Sequence, residues 1–550
     1  MSTPSERHDT APELPTIRWW LVTVLGYALI AAIVFLPALR SYFSSDDFLH
    51  LSTVIEGGLP FAPTGSGRGF LRPMVGLSFL AEHALWGIHP LGYHASNVVL
   101  HVANSVLVAC VSLLIVSGCA RHKDMARLAG LIFLVLACHA ESVSWISGRT
   151  DLLATFFSLL TLCTVIYGLR LHRVWMLVTG AVFFVLALSC KESALALPFL
   201  VLATTCFLWQ EGVVTLDRRY AVSSIAVITG IVTGYFLLRY WQLGAFVAGY
   251  GAQGHLRFHQ DLLAQAMARF AWRVYLPPLP DSTAALLSPM ASRLGDIFTL
   301  ALLLHGVLWA ILAWKRKAWR RGFYCYTGFW LALLPVINVR IQWTNVEGER
   351  FLYLASLFAA LGAAWFLGGL SRRPLRWALL GAFLLLQCAS LWTSNQRWYH
   401  AEETARDVIS GLQSFGHDKT LVLLNKPDSY DGALVLRTGL EEGVRYFGDA
   451  PCMECRVEVL YATTLFELDH NFELLPHSES EGSYLLQAID GHSVMVEEDY
   501  YDRIETWNGE DRQSAFRFRS ALQDSVILLY TSNGVSSVPR TRDAATPTSR

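Results

Sequence analysis

Charge is what this sequence has least of. Only 16% of its 550 residues are Asp, Glu, Lys or Arg, against roughly 25% in a soluble domain. Those charges nearly cancel, to a net −1. No global basic field is present to draw in nucleic acid, and that partner is excluded. No period of roughly 20–50 residues recurs, which excludes solenoid and array architectures. Cysteine is sparse. Eight of the ten (Cys110, Cys119, Cys138, Cys163, Cys190, Cys206, Cys325 and Cys388) fall in or beside apolar runs and behave as small hydrophobes. The other two form one Cys452-Met453-Glu454-Cys455 segment, and two ligands do not close a structural zinc site. A disulfide suits a segment outside the cytoplasm; free thiols or metal ligands are the alternatives. No outward-facing Asn-x-Ser/Thr acceptor and no endoplasmic-reticulum retention signal occur. Both absences point to a bacterial plasma membrane with the C-terminal domain in the periplasm. An endoplasmic-reticulum membrane with the same faces is the alternative.

What fills the chain instead is apolar: 53% of residues are hydrophobic, with 18 Trp, 20 Tyr and 30 Phe to furnish two interfacial belts. Residues 1–18 are polar and read as a disordered cytoplasmic tail. Apolar runs follow near 19–39, 95–117, 128–145, 151–169, 174–189, 194–210, 220–238, 296–314, 322–338, 350–370 and 376–393. A spanning helix needs about 20 apolar residues, so these predict about eleven crossings, the first an uncleaved helix. Arg121, Lys123 and Arg127 follow the second run, and Arg170 and Arg173 the fourth. Arg218 and Arg219 follow the sixth; Lys315, Arg316, Lys317, Arg320 and Arg321 the eighth; Arg372, Arg373 and Arg376 the tenth. Every even-numbered run thus ends in a basic loop, which places the N-terminus inside and the C-terminus outside.

The expected architecture is an all-α polytopic membrane domain over 19–393, followed by a small α+β soluble domain over 394–538 and a disordered tail over 539–550. Outer loops cover 40–94, with an interfacial helix near 70–87, and 239–295, with an amphipathic stretch at 260–275. Strands are expected at Thr420–Asn425, Arg456–Tyr461, Tyr484–Ile489 and Ser525–Tyr530, and a helix at 400–413.

Ionisable groups beside membrane helices are costly and default to function. Here they gather at the outer helix ends: Asp46, Asp47, Arg72, His94, His101, His139, Glu141, Arg149, Asp151, Lys191, Glu192, Glu349 and Arg350. Asp46 or Asp47 is a candidate general base or divalent-metal ligand; an N-cap on the next helix is the structural alternative. Lys191-Glu192 and Glu349-Arg350 pair by adjacency or reach elsewhere. Between His139, Glu141, Arg149 and Asp151 a hairpin salt bridge is the structural alternative. His94, Asn97 and His101 share one helical face.

In order, Ser45-Asp46-Asp47, Leu71-Arg72-Pro73, Pro90-Leu91-Gly92-Tyr93-His94, His139-Ala140-Glu141, Gly148-Arg149-Thr150-Asp151, Cys190-Lys191-Glu192 and Gly348-Glu349-Arg350-Phe351-Leu352-Tyr353 resemble the membrane part of the transmembrane and tetratricopeptide-repeat O-mannosyltransferases. These are glycosyltransferases of the polytopic GT-C class. The resemblance covers roughly residues 40–370. It implies an active site at the outer membrane face and a donor sugar, mannose-like, on a polyprenyl phosphate. Asp46 or Asp47 then deprotonates a protein or surface-glycan acceptor, or helps hold a metal. Arg72, Arg149, Lys191 and Arg350 become candidates for the departing phosphate, supported by His94, His101, His139, Glu141, Asp151, Glu192 and Glu349. The chain departs from the family in having no tetratricopeptide repeats, and Leu136-Ala137 stands where a His-Pro step is expected. A transporter or flippase of a lipid-linked substrate would show internal repeats or mid-membrane charges. A non-catalytic scaffold would leave the acidic and basic groups unexplained.

Overall fold

The computed structural model describes residues 15–58, 70–116, 122–171, 175–215, 218–246, 260–278, 319–337, 344–416, 420–465 and strand segments within 472–537, with a few isolated positions besides. The run expected at 296–314 and the tail at 539–550 lie outside the described residues, as does the tail at its first fourteen positions. The chain divides into two compact units. One comprises residues 1–39, 59–84 and 92–395; the other comprises 40–58, 85–91 and 396–550.

The first unit is helical: α1 (Ile17–Val34), α3 (Pro73–Trp86), most of α4 (Pro90–Ile115), α5 (His122–Val135), α6 (Ala140–Ser144), α7 (Arg149–Leu171), α8 (Trp175–Leu188), α9 (Leu197–Gln210), α10 (Arg218–Leu243), α11 (Gln260–Arg273), α12 (Arg320–Leu333), α13 (Ser356–Gly369) and the start of α14 (Arg373–Gln413). α2 (Asp46–Ile55) belongs to the other unit. Helix α1 begins at Ile17, where the Thr16 side chain accepts a hydrogen bond from the Trp19 amide. Among the described residues six helical stretches are long and apolar enough to cross a membrane: Ile17–Val34, Pro90–Ile115, Ile146–Leu171, Glu192–Gln210, Val222–Leu243 and Arg373–Gln413. A seventh arises if His122–Val135 and Ala137–Ser144, bent by 59°, count as one.

Among the described residues, fewer stretches than the eleven expected runs are long enough by themselves. The runs at 174–189 and 350–370 form helices Trp175–Leu188 and Ser356–Gly369, too short for a full crossing. The run at 128–145 is one apolar stretch in sequence but breaks at Leu136.

Side chains satisfy the backbone groups freed at this break and at the next one, past Ser144, as buried irregular backbone requires. Asn97 on α4 donates through Nδ2 to the carbonyls of Val143, Trp145 and Ile146 at 3.1–3.3 Å. Gln387 on α14 accepts from the Ala137 amide at 3.0 Å and donates to the Tyr275 carbonyl. Asn395 donates to the Val34 carbonyl and accepts from Ser144 Oγ. At Gly148 a Cβ would stand 2.6 Å from the Ser142 carbonyl oxygen, so only glycine lets the chain close this turn.

The second unit holds a mixed sheet in the order β10-β9-β1-β3-β6, with β2 (Ala433–Leu434) paired antiparallel to β1. Strand β1 (Thr420–Tyr430) runs parallel to β3 (Arg456–Leu465), with Thr420 opposite Arg456, and parallel to β9 (Val526–Thr531), with Leu421 opposite Val526. β6 (Val494–Val496) and β10 (Gly534–Ser537) flank it antiparallel. Leu421, Val422, Leu423 and Leu424 are all fully buried, the continuous apolar run of a central parallel strand. β4 (Phe472–Pro476), β5 (Ser483–Ala488), β8 (Gln513–Phe518) and β7 (Tyr501–Arg503) make a separate antiparallel sheet. Cys452 and Cys455 are joined by a disulfide.

Two boundaries differ from the sequence expectation. Composition turns soluble after Thr393, yet α14 continues unbroken for 41 residues. That is about 60 Å at 1.5 Å per residue, twice the roughly 30 Å of a bilayer core. Residues 40–58, expected in an outer loop of the membrane domain, cluster instead with the second unit. Phe43 and Phe48 pack against Phe447 at ring separations of 5.3 and 5.1 Å, and all three are buried.

Candidate active site

In the second unit, Asp46 and Asp47 open helix α2 (Asp46–Ile55). Ser45 before them has φ 48°, a strained conformation for a residue with a side chain. Its amide donates to the Val435 carbonyl at 2.9 Å. Gly439, at φ 77°, lies against it so closely that a Cβ there would stand 2.6 Å from the Ser45 carbonyl oxygen. The two acidic side chains diverge. Asp46 is half-buried and its Oδ1 accepts from Thr438 Oγ1 at 2.5 Å. That spends the Thr438 proton, so Ser45 Oγ is the donor in its 3.1 Å contact with Thr438. Asp47 is fully buried, and its Oδ2 accepts from the Ser44 amide at 3.0 Å. Asp47 thus reaches back to an amide ahead of the helix, and the N-cap position itself is Ser45, which makes no side-chain cap.

Sequence reasoning missed Glu402, on the part of α14 belonging to this unit. It is fully buried. Burial pushes its carboxyl well above the usual glutamate range, the Asp47 charge pushes it further, and a hydrogen bond with Ser41 pulls the other way. Two neighbouring buried carboxylates repel, which favours the protonated form of Glu402. Its place inside a long helix gives no sequence signal beyond a carboxylate on the apolar face of 398–412.

In the first unit the candidate cations carry carboxylate partners. Lys191 Nζ meets Asp151 Oδ2 at 2.5 Å. Arg350 binds Glu141 twice, through Nη1 and through its amide, both at 2.8 Å. Arg149 meets Glu82 at 2.6 Å, donates to the Ile146 and Tyr93 carbonyls, and stacks 4.4 Å over Phe79. Arg72 meets Glu192 at 2.9 Å, and Arg239 reaches the same carboxylate at 3.1 Å. Glu349 pairs with Arg273, both fully buried. Lys191, Glu192, Glu349 and Arg350 each pair with a residue distant in sequence, as do Glu141, Arg149 and Asp151 of the hairpin. Neighbouring residues point apart, so each reaches a distant segment. Glu82, Arg239 and Arg273 escaped sequence reasoning, since nothing local marks them as partners.

The histidines are packed into the interior. His101 Nε2 faces the Leu134 carbonyl at 3.0 Å, which only accepts, so Nε2 carries the proton and Nδ1 accepts from Tyr353 at 2.6 Å. Ser356 Oγ gives its proton to the Tyr353 carbonyl, so His139 Nε2 donates to Ser356 at 2.8 Å. His101, Phe133, His139 and Tyr353 form one aromatic cluster with ring separations of 4.6–5.8 Å. His94 is fully buried as well. These three side chains build the interior rather than line an opening. Among the described residues no three His, Cys, Asp or Glu side chains gather to hold a metal ion.

No family model matches the chain. Curated relatives do. Mouse protein O-mannosyl-transferase TMTC4 is 25% identical over 398 residues, 62% of this chain and 53% of that protein. Drosophila melanogaster Tmtc1 is 34% identical over 139 residues, covering 25% of this chain and 16% of that protein. Human TMTC2 is 36% identical over 99 residues, 18% of this chain and 11% of that protein. The chain thus spans about half the length of one of these relatives and a sixth or less of the others. Among solved structures, the apo oligosaccharyltransferase of Archaeoglobus fulgidus aligns with a TM-score of 0.44 at 12% identity, covering 74% of this chain and 62% of that one. ArnT from Cupriavidus metallidurans bound to undecaprenyl phosphate aligns with 0.44 at 10%, covering 92% and 99%. The chain resembles the polytopic glycosyltransferases, and among them the TMTC O-mannosyltransferases.

Proposed function

We propose that this chain is a membrane glycosyltransferase of the GT-C type that moves a sugar, mannose-like, from a polyprenyl-phosphate donor to a protein or surface-glycan acceptor. The observation that carries the reading is the partial identity to protein O-mannosyl-transferases over 62% of the chain. The five basic loops support a cytoplasmic N-terminus, with the second unit on the opposite face of a bacterial plasma membrane.

In this reading Asp46, half-buried and oriented by Thr438, takes the proton of the acceptor hydroxyl. The acceptor oxygen bonds to the anomeric carbon as the bond to the phosphate oxygen breaks, giving inversion in one displacement. Asp47 positions the loop. The leaving phosphate carries the negative charge that a cation must meet. Arg72, which shares the carboxylate of Glu192 with Arg239, is one candidate. Lys191 and Arg350 are further candidates. Arg149 spends its guanidinium on Glu82, two carbonyls and Phe79, and is a structural cation.

The test is sugar transfer by purified full-length protein from a panel of polyprenyl-phosphate sugars, with and without chelator, beside Asp46→Asn and Asp47→Asn. Transfer by wild type that fails in folded Asp46→Asn supports the reading. Binding of polyprenyl phosphate without transfer from any donor would move a flippase or a scaffold ahead of it.

A further inference from the structure

A groove of about 500 Å³ runs along the first unit between α1, α5, the end of α13 and the start of α14. Its volume falls within the roughly 300–1,000 Å³ of small-molecule sites. Its walls are apolar over most of their length, with Ile30, Leu131 and Leu380 at one end. The other end holds Asp124, Arg127 and Arg376, two guanidiniums against one carboxylate. Gly368, at the end of α13, approaches Met125 so closely that a Cβ would stand 3.2 Å from its Cγ, which packs the end of α13 against the start of α5 beside Arg127.

Arg127 is held in place. Its Nε donates to Thr23 Oγ1 at 2.9 Å and its Nη2 to the Trp19 carbonyl at 3.0 Å, while the guanidinium lies 4.4 Å over the Trp19 ring. Nη1 takes part in neither bond. Val22, which lines the groove, is 57% exposed, so the groove opens onto the face of α1 that also shows Leu25 and Leu29. In a membrane that face meets lipid. Gly26 lines the groove too, and a Cβ there meets nothing within 4 Å.

We propose that this groove is a binding site for an anionic phospholipid, its acyl chain along Ile30, Leu131 and Leu380 and its phosphate at Arg127 and Arg376. Apolar length selects a chain, and the excess positive charge at one end selects an anionic head over a zwitterionic one. Arg372, Arg373 and Lys123, nearby in sequence, add to that charge. The site is independent of the proposed sugar transfer.

The experiment measures lipid retained by the full-length protein in nanodiscs and in detergent, using phosphatidylglycerol against phosphatidylcholine. Phosphatidylglycerol should be preferred about fivefold or more, the weight of one arginine near a lipid head. Arg376→Gln should bring the preference close to parity. Gly26→Leu fills the groove without touching a charge or straining the helix, and should lower phosphatidylglycerol occupancy by itself. Equal binding of the two lipids, or phosphatidylglycerol binding unchanged in both variants, would overturn the proposal. Displacement of phosphatidylglycerol by equimolar polyprenyl phosphate would overturn it as well, in favour of a site for the donor lipid.

Discussion

Asp46 Oδ1 accepts a hydrogen bond from the Thr438 hydroxyl at 2.5 Å, joining residues 392 positions apart. The carboxylate proposed as base is thus oriented by a loop of the second unit. Thr438→Val should lower transfer by about fivefold, the worth of one hydrogen bond. Asp46→Asn should lower it by about a thousandfold. Steady-state kinetics on protein with unchanged melting behaviour checks both. An active Asp46→Asn would remove Asp46 from the chemistry.

Asp47 and Glu402 predict a pH dependence of stability. The Glu402 carboxyl is raised in the folded chain, which therefore binds this proton to higher pH than the unfolded chain, where it leaves above about pH 4.3. Stability contributed by Glu402 is therefore present in acid and is lost as pH rises from that value toward the raised one. Glu402→Gln keeps the neutral form and should flatten this slope. Melting temperatures of both proteins between about pH 5 and pH 8 test it. Parallel curves would mean that the Glu402 proton is not retained.

The cations separate into two behaviours. Glu82→Gln leaves Arg149 buried without its carboxylate and should cost about 3–5 kcal/mol. Glu82→Leu with Arg149→Met should recover most of that and keep sugar transfer. Arg72→Gln should instead leave stability near wild type and lower kcat by about a hundredfold. Loss of transfer in the folded Arg149 double variant would return Arg149 to the phosphate-binding set.

Asn97 serves three carbonyls at the break between α5 and α7. Asn97→Leu strips their donor at nearly constant volume and should cost about 1–3 kcal/mol. Hydrogen exchange should rise first across 137–148, the segment those carbonyls hold. Unchanged protection there would mean that other donors suffice.

Much of the candidate site was legible as residue types in order. Glu141, Arg149, Asp151, Lys191, Glu192, Glu349 and Arg350 all proved to be ion-pair members. Their partners were not legible. Lys191 and Asp151 lie 40 residues apart, Arg72 and Glu192 120, Glu141 and Arg350 209. Nothing local distinguishes Glu82 or Arg239 from a solvated charge. Helix breaks were hidden for a related reason: hydropathy saw 128–145 as one apolar run, while the backbone breaks at Leu136, where Gln387 on another helix takes the Ala137 amide, and Asn97 donates to three carbonyls further on within 143–146.

The sequence by itself determined that the chain is built from apolar helices followed by a sheet-bearing segment. Hydropathy and strand alternation are local sums, complete within a window of residues. Only the tertiary structure decided which charges neutralise one another, that Asp47 reaches back to the Ser44 amide while Asp46 meets Thr438, and that residues 40–58 fold with the second unit. Those outcomes depend on the direction of side chains and on segments brought together across hundreds of positions, and neither is written in any single window of sequence.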